Sequence, residues 1–209
     1  MNNIRFNIFF IGMFVLYSFL TYGQNPKGYV ILRPNEETIQ YDTIFGEIEM
    51  PKNGVFWNVK IQTKEGLKKF KNREVIGIQV EGMYFASIIY GKGCAIVPRL
   101  VGGRMELYYN YTGGSDRYQY INQSEIVKEG FSGIPPYDLS RIIWDATSYF
   151  YITHPTTNEF HKIPRSNKKF REETSILFLD NPEIYNRIST GELGVENIIE
   201  IVKLYNEIE

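Results

Sequence analysis

The sequence predicts an α+β fold: an antiparallel β-sheet, barrel-like or strongly bent, followed by C-terminal helices. Short apolar runs separated by Gly-bearing turns fill residues 24–122, the signature of antiparallel strands. After Ser166 the apolar residues recur at helical spacing instead. The composition, 43% hydrophobic and 22% charged, is that of a chain that buries a core rather than one that stays disordered. One domain is expected over 24–209, with a β-meander at 24–122, an irregular segment with a hairpin at 123–165, and helices at 166–209.

The strands follow in order. Tyr29–Arg33 opens the meander. Thr38–Met50 comes next, with Ile39 and Tyr41 on one parity and Ile44, Ile48 and Met50 on the other, which implies a bulge near Asp42–Thr43. Trp57, Val59 and Ile61 alternate onto one face, and a turn at Lys64-Glu65-Gly66 leads into Leu67–Lys71. Val75–Val80 and Met83–Tyr90 are joined through Glu81-Gly82. Gly102-Gly103 predicts a type I′ hairpin with Arg99 opposite Glu106, Leu100 opposite Met105 and Ile96 opposite Tyr109. A second turn at Gly114-Ser115 sets Tyr111 against Tyr118 and Tyr109 against Tyr120. Both hairpins share one core face that contains Cys94, Ile96, Leu100, Met105, Leu107, Tyr109, Tyr111, Tyr118 and Tyr120.

Gly133-Ile134-Pro135-Pro136 breaks regular structure, and Asp138 caps a short helix through Trp144. Tyr149–Thr153 and Glu159–Ile163 form a further hairpin with its turn at His154–Asn158. Ser166 caps a helix to about Leu179, with Phe170, Ile176, Leu177 and Leu179 as its apolar positions. Asn181-Pro182 starts a short helix that Gly191 ends. Val195, Ile198, Ile199, Val202 and Tyr205 give the last helix, Val195–Ile208, an apolar stripe that must pack on the sheet or on a partner chain.

Residues 1–23 read as a secretory signal peptide. Arg5 supplies the positive start, Phe6 to Leu20 the apolar stretch, and Thr21 and Gly23 the small residues before a cut ahead of Gln24. The stretch is shorter than the roughly 20 residues of a membrane span, so cleavage is favoured over an uncleaved anchor and the mature chain is expected to have no transmembrane span. No Cys follows it closely, which argues against a lipid-anchored protein. The predicted destination is the periplasm, the outer-membrane surface or the medium.

Twenty-three basic and 24 acidic residues leave a formal charge of −1, which gives no electrostatic basis for nucleic-acid binding. With one Cys and two His the chain lacks the usual set of ligands for a metal centre, and no cofactor is predicted. Gly91-Lys92-Gly93 lacks the upstream glycine of a phosphate loop and reads as a strand connection; no nucleophile elbow of the Gly-x-Ser-x-Gly kind occurs. Cys94 pairs on paper with His154 or His161 as a nucleophile, but its core-face position favours a buried inert thiol. His154 and His161 with Glu159 fall short of a zinc site. Glu47 and Glu49 share a strand face, as a two-carboxylate glycosidase requires, or as the wet side of a sheet does. No catalytic residue is assigned.

Two basic stretches, one at Lys60, Lys68, Lys69, Lys71 and Arg73 and one at Lys162, Arg165, Lys168, Lys169 and Arg171, are either solvated faces or contacts for an anionic surface. The 14 Phe, 16 Tyr and 2 Trp suggest stacking surfaces as well as core. Tyr137, Trp144, Tyr149 and Tyr151, in or beside the irregular middle, are the candidate binding residues.

Lys27-Gly28-Tyr29-Val30-Ile31 with Asp42-Thr43-Ile44-Phe45-Gly46-Glu47-Ile48 resembles the opening of small exported proteins common in Bacteroidota. Phe178-Leu179-Asp180-Asn181-Pro182-Glu183 and Ile201-Val202-Lys203-Leu204-Tyr205-Asn206 resemble their ending. The resemblance implies export and carries no catalytic residue. The expected function is a non-catalytic exported module that binds an envelope protein or an anionic envelope surface. The alternatives are a hydrolase around Glu47, Glu49, His154 or His161, and a structural subunit whose helical stripe completes a homo-oligomer.

Overall fold

The computed structural model describes residues 25–34, 40–51, 56–111, 148–157 and 159–207. The leader at 1–23, the Gly114-Ser115 hairpin and the Asp138–Trp144 helix lie outside them. Ten strands form one open antiparallel sheet: β1 (Lys27–Leu32), β2 (Thr43–Ile48), β3 (Asn58–Thr63), β4 (Gly66–Lys71), β5 (Val75–Val80), β6 (Met83–Tyr90), β7 (Gly93–Val101), β8 (Glu106–Tyr111), β9 (Ser148–Thr153) and β10 (Phe160–Lys162). Their order across the sheet is β10-β9-β8-β7-β6-β5-β1-β2-β3-β4.

The order departs from a simple meander at one point, and that point explains the bend. The chain leaves the edge strand β4 and re-enters beside β1, with only the 3-10 turn Asn72–Glu74 between. Four residue steps reach at most about 14 Å. In a flat sheet β4 and β5 would stand four strand spacings apart, roughly 19 Å. The β1–β5 half must therefore curl on itself. It does so around Val30, Ile48, Phe56, Val59, Ile61, Val75, Ile78 and Val80. Side chains hold the short crossing: Asn72 donates to the Phe56 carbonyl, and Arg73 to the carbonyls of Gly91 and Gly93.

The β7–β10 half packs its inner side on the helices. Leu107, Tyr109, Phe150 and Ile152 meet Phe170, Phe178, Ile184, Ile188, Ile198, Ile201, Val202 and Tyr205 in a second core. Because successive strand residues alternate sides, Glu106 and Tyr108 face the other way. A third, smaller cluster forms there from Ala86, Ile88, Val97, Tyr108 and Tyr151.

The C-terminal part begins with a helical run capped by Ser166, whose hydroxyl accepts from the Lys169 amide. An α turn (Asn167–Lys169), a π turn (Phe170–Thr174) and a 3-10 turn (Ser175–Phe178) follow one another. Helix α1 (Pro182–Thr190) starts with Asn181 as its cap and stops at Gly191 in the left-handed region. Helix α2 (Ile198–Glu207) presents the expected stripe to the sheet.

Several expectations are corrected. Trp57 is 83% exposed rather than in line with Val59 and Ile61, because β3 begins only at Asn58 and Phe56 takes the core position. Tyr41 is exposed ahead of β2, which begins only at Thr43, so the bulge expected near Asp42 is not part of its ladder: β2 pairs with β1 in regular register, and β1 shifts only against β5, between Ile31 and Leu32. Phe178, not Ile176 or Leu179, is the second buried apolar residue of the first helical run. The π turn adds a residue to one turn and rotates everything after it. Cys94 is half-buried, at the turn end of the β6–β7 hairpin opposite the exposed Ile89, with its Sγ 3.2 Å from Ser87 Oγ.

The register of the β7–β8 hairpin also differs. Arg99 stands opposite Tyr108 and Val101 opposite Leu107, with a bulge between. Residues 102–105 leave the ladder because Asn206 of α2 takes over as partner. Its Oδ1 accepts from the Met105 amide at 2.8 Å, and its Nδ2 donates to the Met105 carbonyl at 2.8 Å and to the Gly102 carbonyl at 3.3 Å. A Cβ on Gly103 would lie 2.5 Å from Asn206 Nδ2, so the glycine at 103 makes room for this lock. On its other edge β8 pairs with β9, setting Tyr109 against Phe150 where the sequence predicts Tyr120.

Candidate functional site: an aromatic row across the sheet

Register places one residue from each of eight adjacent strands in a single line on the side away from the helices. Phe45 lies opposite Tyr29, Tyr29 opposite Gln79, and Gln79 opposite Tyr84. The Arg99 guanidinium sits over the Tyr84 ring, 4.8 Å from its centroid. Arg99 is opposite Tyr108, Tyr108 opposite Tyr151, and Tyr151 opposite Lys162. At normal strand spacing the line runs roughly 33 Å along the sheet.

Its two halves differ in exposure. Phe45 is 69% exposed and Tyr29 half-buried, and their rings meet at 5.6 Å with a 55° tilt. Tyr84 is half-buried and leans over Gly77, where a Cβ would fall 2.3 Å from the tyrosine hydroxyl oxygen. The glycine at 77 thus leaves room for the ring. Tyr108, by contrast, is 1% exposed, and Phe160 of β10 meets it edge to face at 5.3 Å.

A polar knot ties the halves together. Arg99 donates to one oxygen of Glu106, Tyr108 donates to the other, and the Glu106 amide donates to the Thr153 hydroxyl. Arg99 and Glu106 thus make the ion pair the sequence predicts, although they are not directly opposite. Burial and the Glu106 carboxylate push the Tyr108 hydroxyl far above the ordinary phenol range, and push Tyr84 up as well. Both oxygens of Glu106 are engaged in holding neighbours, so the knot positions rings. Together the row offers ring faces for stacking, with Gln79 and Arg99 as polar contacts between them.

The candidate residues read from the sequence fall as follows. Tyr137 and Trp144 lie outside the described residues. Tyr149 is half-buried on β9 and sits beneath two cations, with Lys162 Nζ 3.3 Å and Arg165 Cζ 4.3 Å from the ring centroid. Tyr151 is 7% exposed, so it is no part of an exposed patch; it belongs to the buried end of the row, where burial raises its phenol pKa. Tyr29, Phe45 and Tyr84 were not singled out. Their signal is an aromatic residue on the parity opposite the strand's core residues, Val30, Ile48 and Phe85.

The hydrolase residues do not converge. Glu47 and Glu49 lie on and just after β2, and Glu49 is paired with Lys60 at 2.8 Å. His154 follows β9 and bonds Thr156 within its own turn at 2.7 Å, and His161 is on β10. Five strands stand between β2 and β9. Among the described residues no three His, Cys, Asp or Glu side chains gather where they could hold a metal. Gly91-Lys92 is the turn between β6 and β7. No described helix is long and apolar enough to cross a membrane.

No family model, curated protein or solved structure matches the chain.

Proposed function

We propose that the chain is an exported, non-catalytic module that binds another cell-envelope component through the side of its sheet turned away from the helices. The observation that carries this reading is the aromatic row, whose Phe45–Tyr29 end is open to solvent while its Tyr108–Tyr151 end is anchored. Adjoining exposed rings on a sheet face, unlike singly scattered ones, mark the kind of surface that partners cover. Rings braced by register and by the Arg99–Glu106–Tyr108 knot lose little freedom on binding, which favours affinity. The leader-like residues 1–23 and the resemblance of both ends to small exported proteins support the location, in the periplasm, on the outer-membrane surface or in the medium.

The test is crosslinked capture from intact cells with the tagged mature protein, identifying recovered proteins by mass spectrometry. The reading expects one envelope protein, recovered reproducibly and lost with Phe45→Ser and Tyr29→Ser. Recovery that is unchanged by those substitutions, or confined to background, contradicts it.

A further inference from the structure

The free edge of the sheet at β4 carries a charge pattern that is incomplete as it stands. Lys60 of β3 and Lys69 of β4 lie directly opposite one another, a like-charge pair that weakens a two-stranded ladder. On the far side of Lys60, Glu49 neutralises it at 2.8 Å. On the far side of Lys69 there is no strand, since β4 ends the sheet among the described residues. The row therefore reads acid, base, base and then an empty place. One step along, Lys71 stands opposite the neutral Asn58 and is also exposed. Lys68, on the opposite parity, is already held by Glu65 at 2.6 Å.

The edge itself is short and bounded. Glu74 takes the Lys71 amide at 2.7 Å, which closes the ladder at that end, and the turn at Lys64-Glu65 closes the other. Among the described residues no strand pairs with the outer side of Leu67–Phe70, the stretch that carries the exposed Leu67.

We propose that this edge accepts an acidic extended segment of another protein as an added strand, with a carboxylate opposite Lys69 and a second, two residues away, reaching Lys71. Backbone ladder bonds would supply the attachment, and the two lysines the selection. The same lysines repel the equally basic β4 edge of a second copy, so the device that prevents self-pairing also defines the partner. The edge lies apart from the aromatic row, and the inference stands or falls separately from the function proposed above.

The experiment uses the mature chain and three blocked synthetic peptides: Thr-Val-Glu-Val-Glu-Val-Thr, its Gln-for-Glu twin and its Lys-for-Glu twin. Titration calorimetry measures affinity, and amide hydrogen exchange locates the contact. The acidic peptide is expected to bind and to slow exchange at Leu67–Phe70, the Gln twin to bind about 3- to 10-fold more weakly, as two exposed ion pairs imply, and the Lys twin not at all. Lys69→Gln with Lys71→Gln should erase the difference between the first two peptides, and added salt should shrink it. Equal affinity for the acidic and Gln peptides overturns the proposal, as does protection elsewhere on the chain or no binding of any peptide. If the double variant associates with itself while the parent binds no peptide, the lysines serve only to keep copies apart.

Discussion

Replacing Tyr108 with Phe removes one oxygen from the centre of the molecule and leaves the ring. Tyr108 is 1% exposed, and its hydroxyl donates to one Glu106 oxygen while Arg99 holds the other. A hydrogen bond to a charged acceptor contributes about 1.5–3 kcal/mol, and because the Glu106 carboxylate is only half-buried the cost is expected in the lower part of that range. For a domain of this size about 2 kcal/mol corresponds to a Tm lower by roughly 4–8 °C. Tyr108→Ala should cost about 3–5 kcal/mol more, because it also opens a cavity among Ala86, Val97 and Tyr151. Denaturant titration of the parent and both variants, at equal protein concentration, measures the two steps separately. A Phe variant within about 0.5 kcal/mol of the parent would refute the claim that the Arg99–Glu106–Tyr108 knot braces the sheet.

The helix-to-hairpin lock makes a second prediction: Asn206→Ala strands the amide and carbonyl of fully buried Met105 and should cost about 2 kcal/mol, read from the urea midpoint. The π turn makes a third, since Phe178→Ala should cost about 3–5 kcal/mol while Ile176→Ala, at an exposed position, should stay within about 0.5 kcal/mol. The reverse ranking would mean that the helix keeps an ordinary phase. Alkaline titration makes a fourth. Burial and Asp180 push Tyr205 up to about 12, and Tyr84 and Tyr108 are raised as well. The unfolded chain ionises its tyrosines near pH 10, so the stability these groups contribute is complete below about pH 10 and is lost as pH rises toward their folded values. Tyrosinate absorbance should show part of the population titrating late; a single transition near pH 10 would contradict the burial.

Local chemistry was legible and longer-range geometry was not. Val75–Val80 and Met83–Tyr90 match β5 and β6 because alternation and the Glu81-Gly82 turn are both local signals. Asn181-Pro182 and Gly191 bound α1 because capping depends only on neighbours. The β7–β8 register was missed because its determinant, Asn206, lies about a hundred residues away in sequence. The crossing from β4 to β5 leaves no trace in periodicity, and neither does a π turn. For the candidate site, hydrophobic alternation identified the core parity of each strand and passed over the other. Phe45 and Tyr29 are aromatic on that other parity, yet only pairing across β1 and β2 shows that they adjoin. The Gly102-Gly103 turn and their opposite charges matched Arg99 with Glu106, and the contact survives a shift in register because residues two apart on a strand share a face.

Which side of the sheet meets a partner is best measured by site-specific photocrosslinking in intact cells. A photoreactive phenylalanine analogue would replace Phe45 in one strain and Ile176, exposed on the helical side, in another. Both positions are solvent-facing, so neither replacement disturbs a core. The account predicts one discrete crosslinked species from position 45 and none from position 176. Crosslinking from position 176 alone, or equally from both, would contradict the assignment of the aromatic row as the binding face.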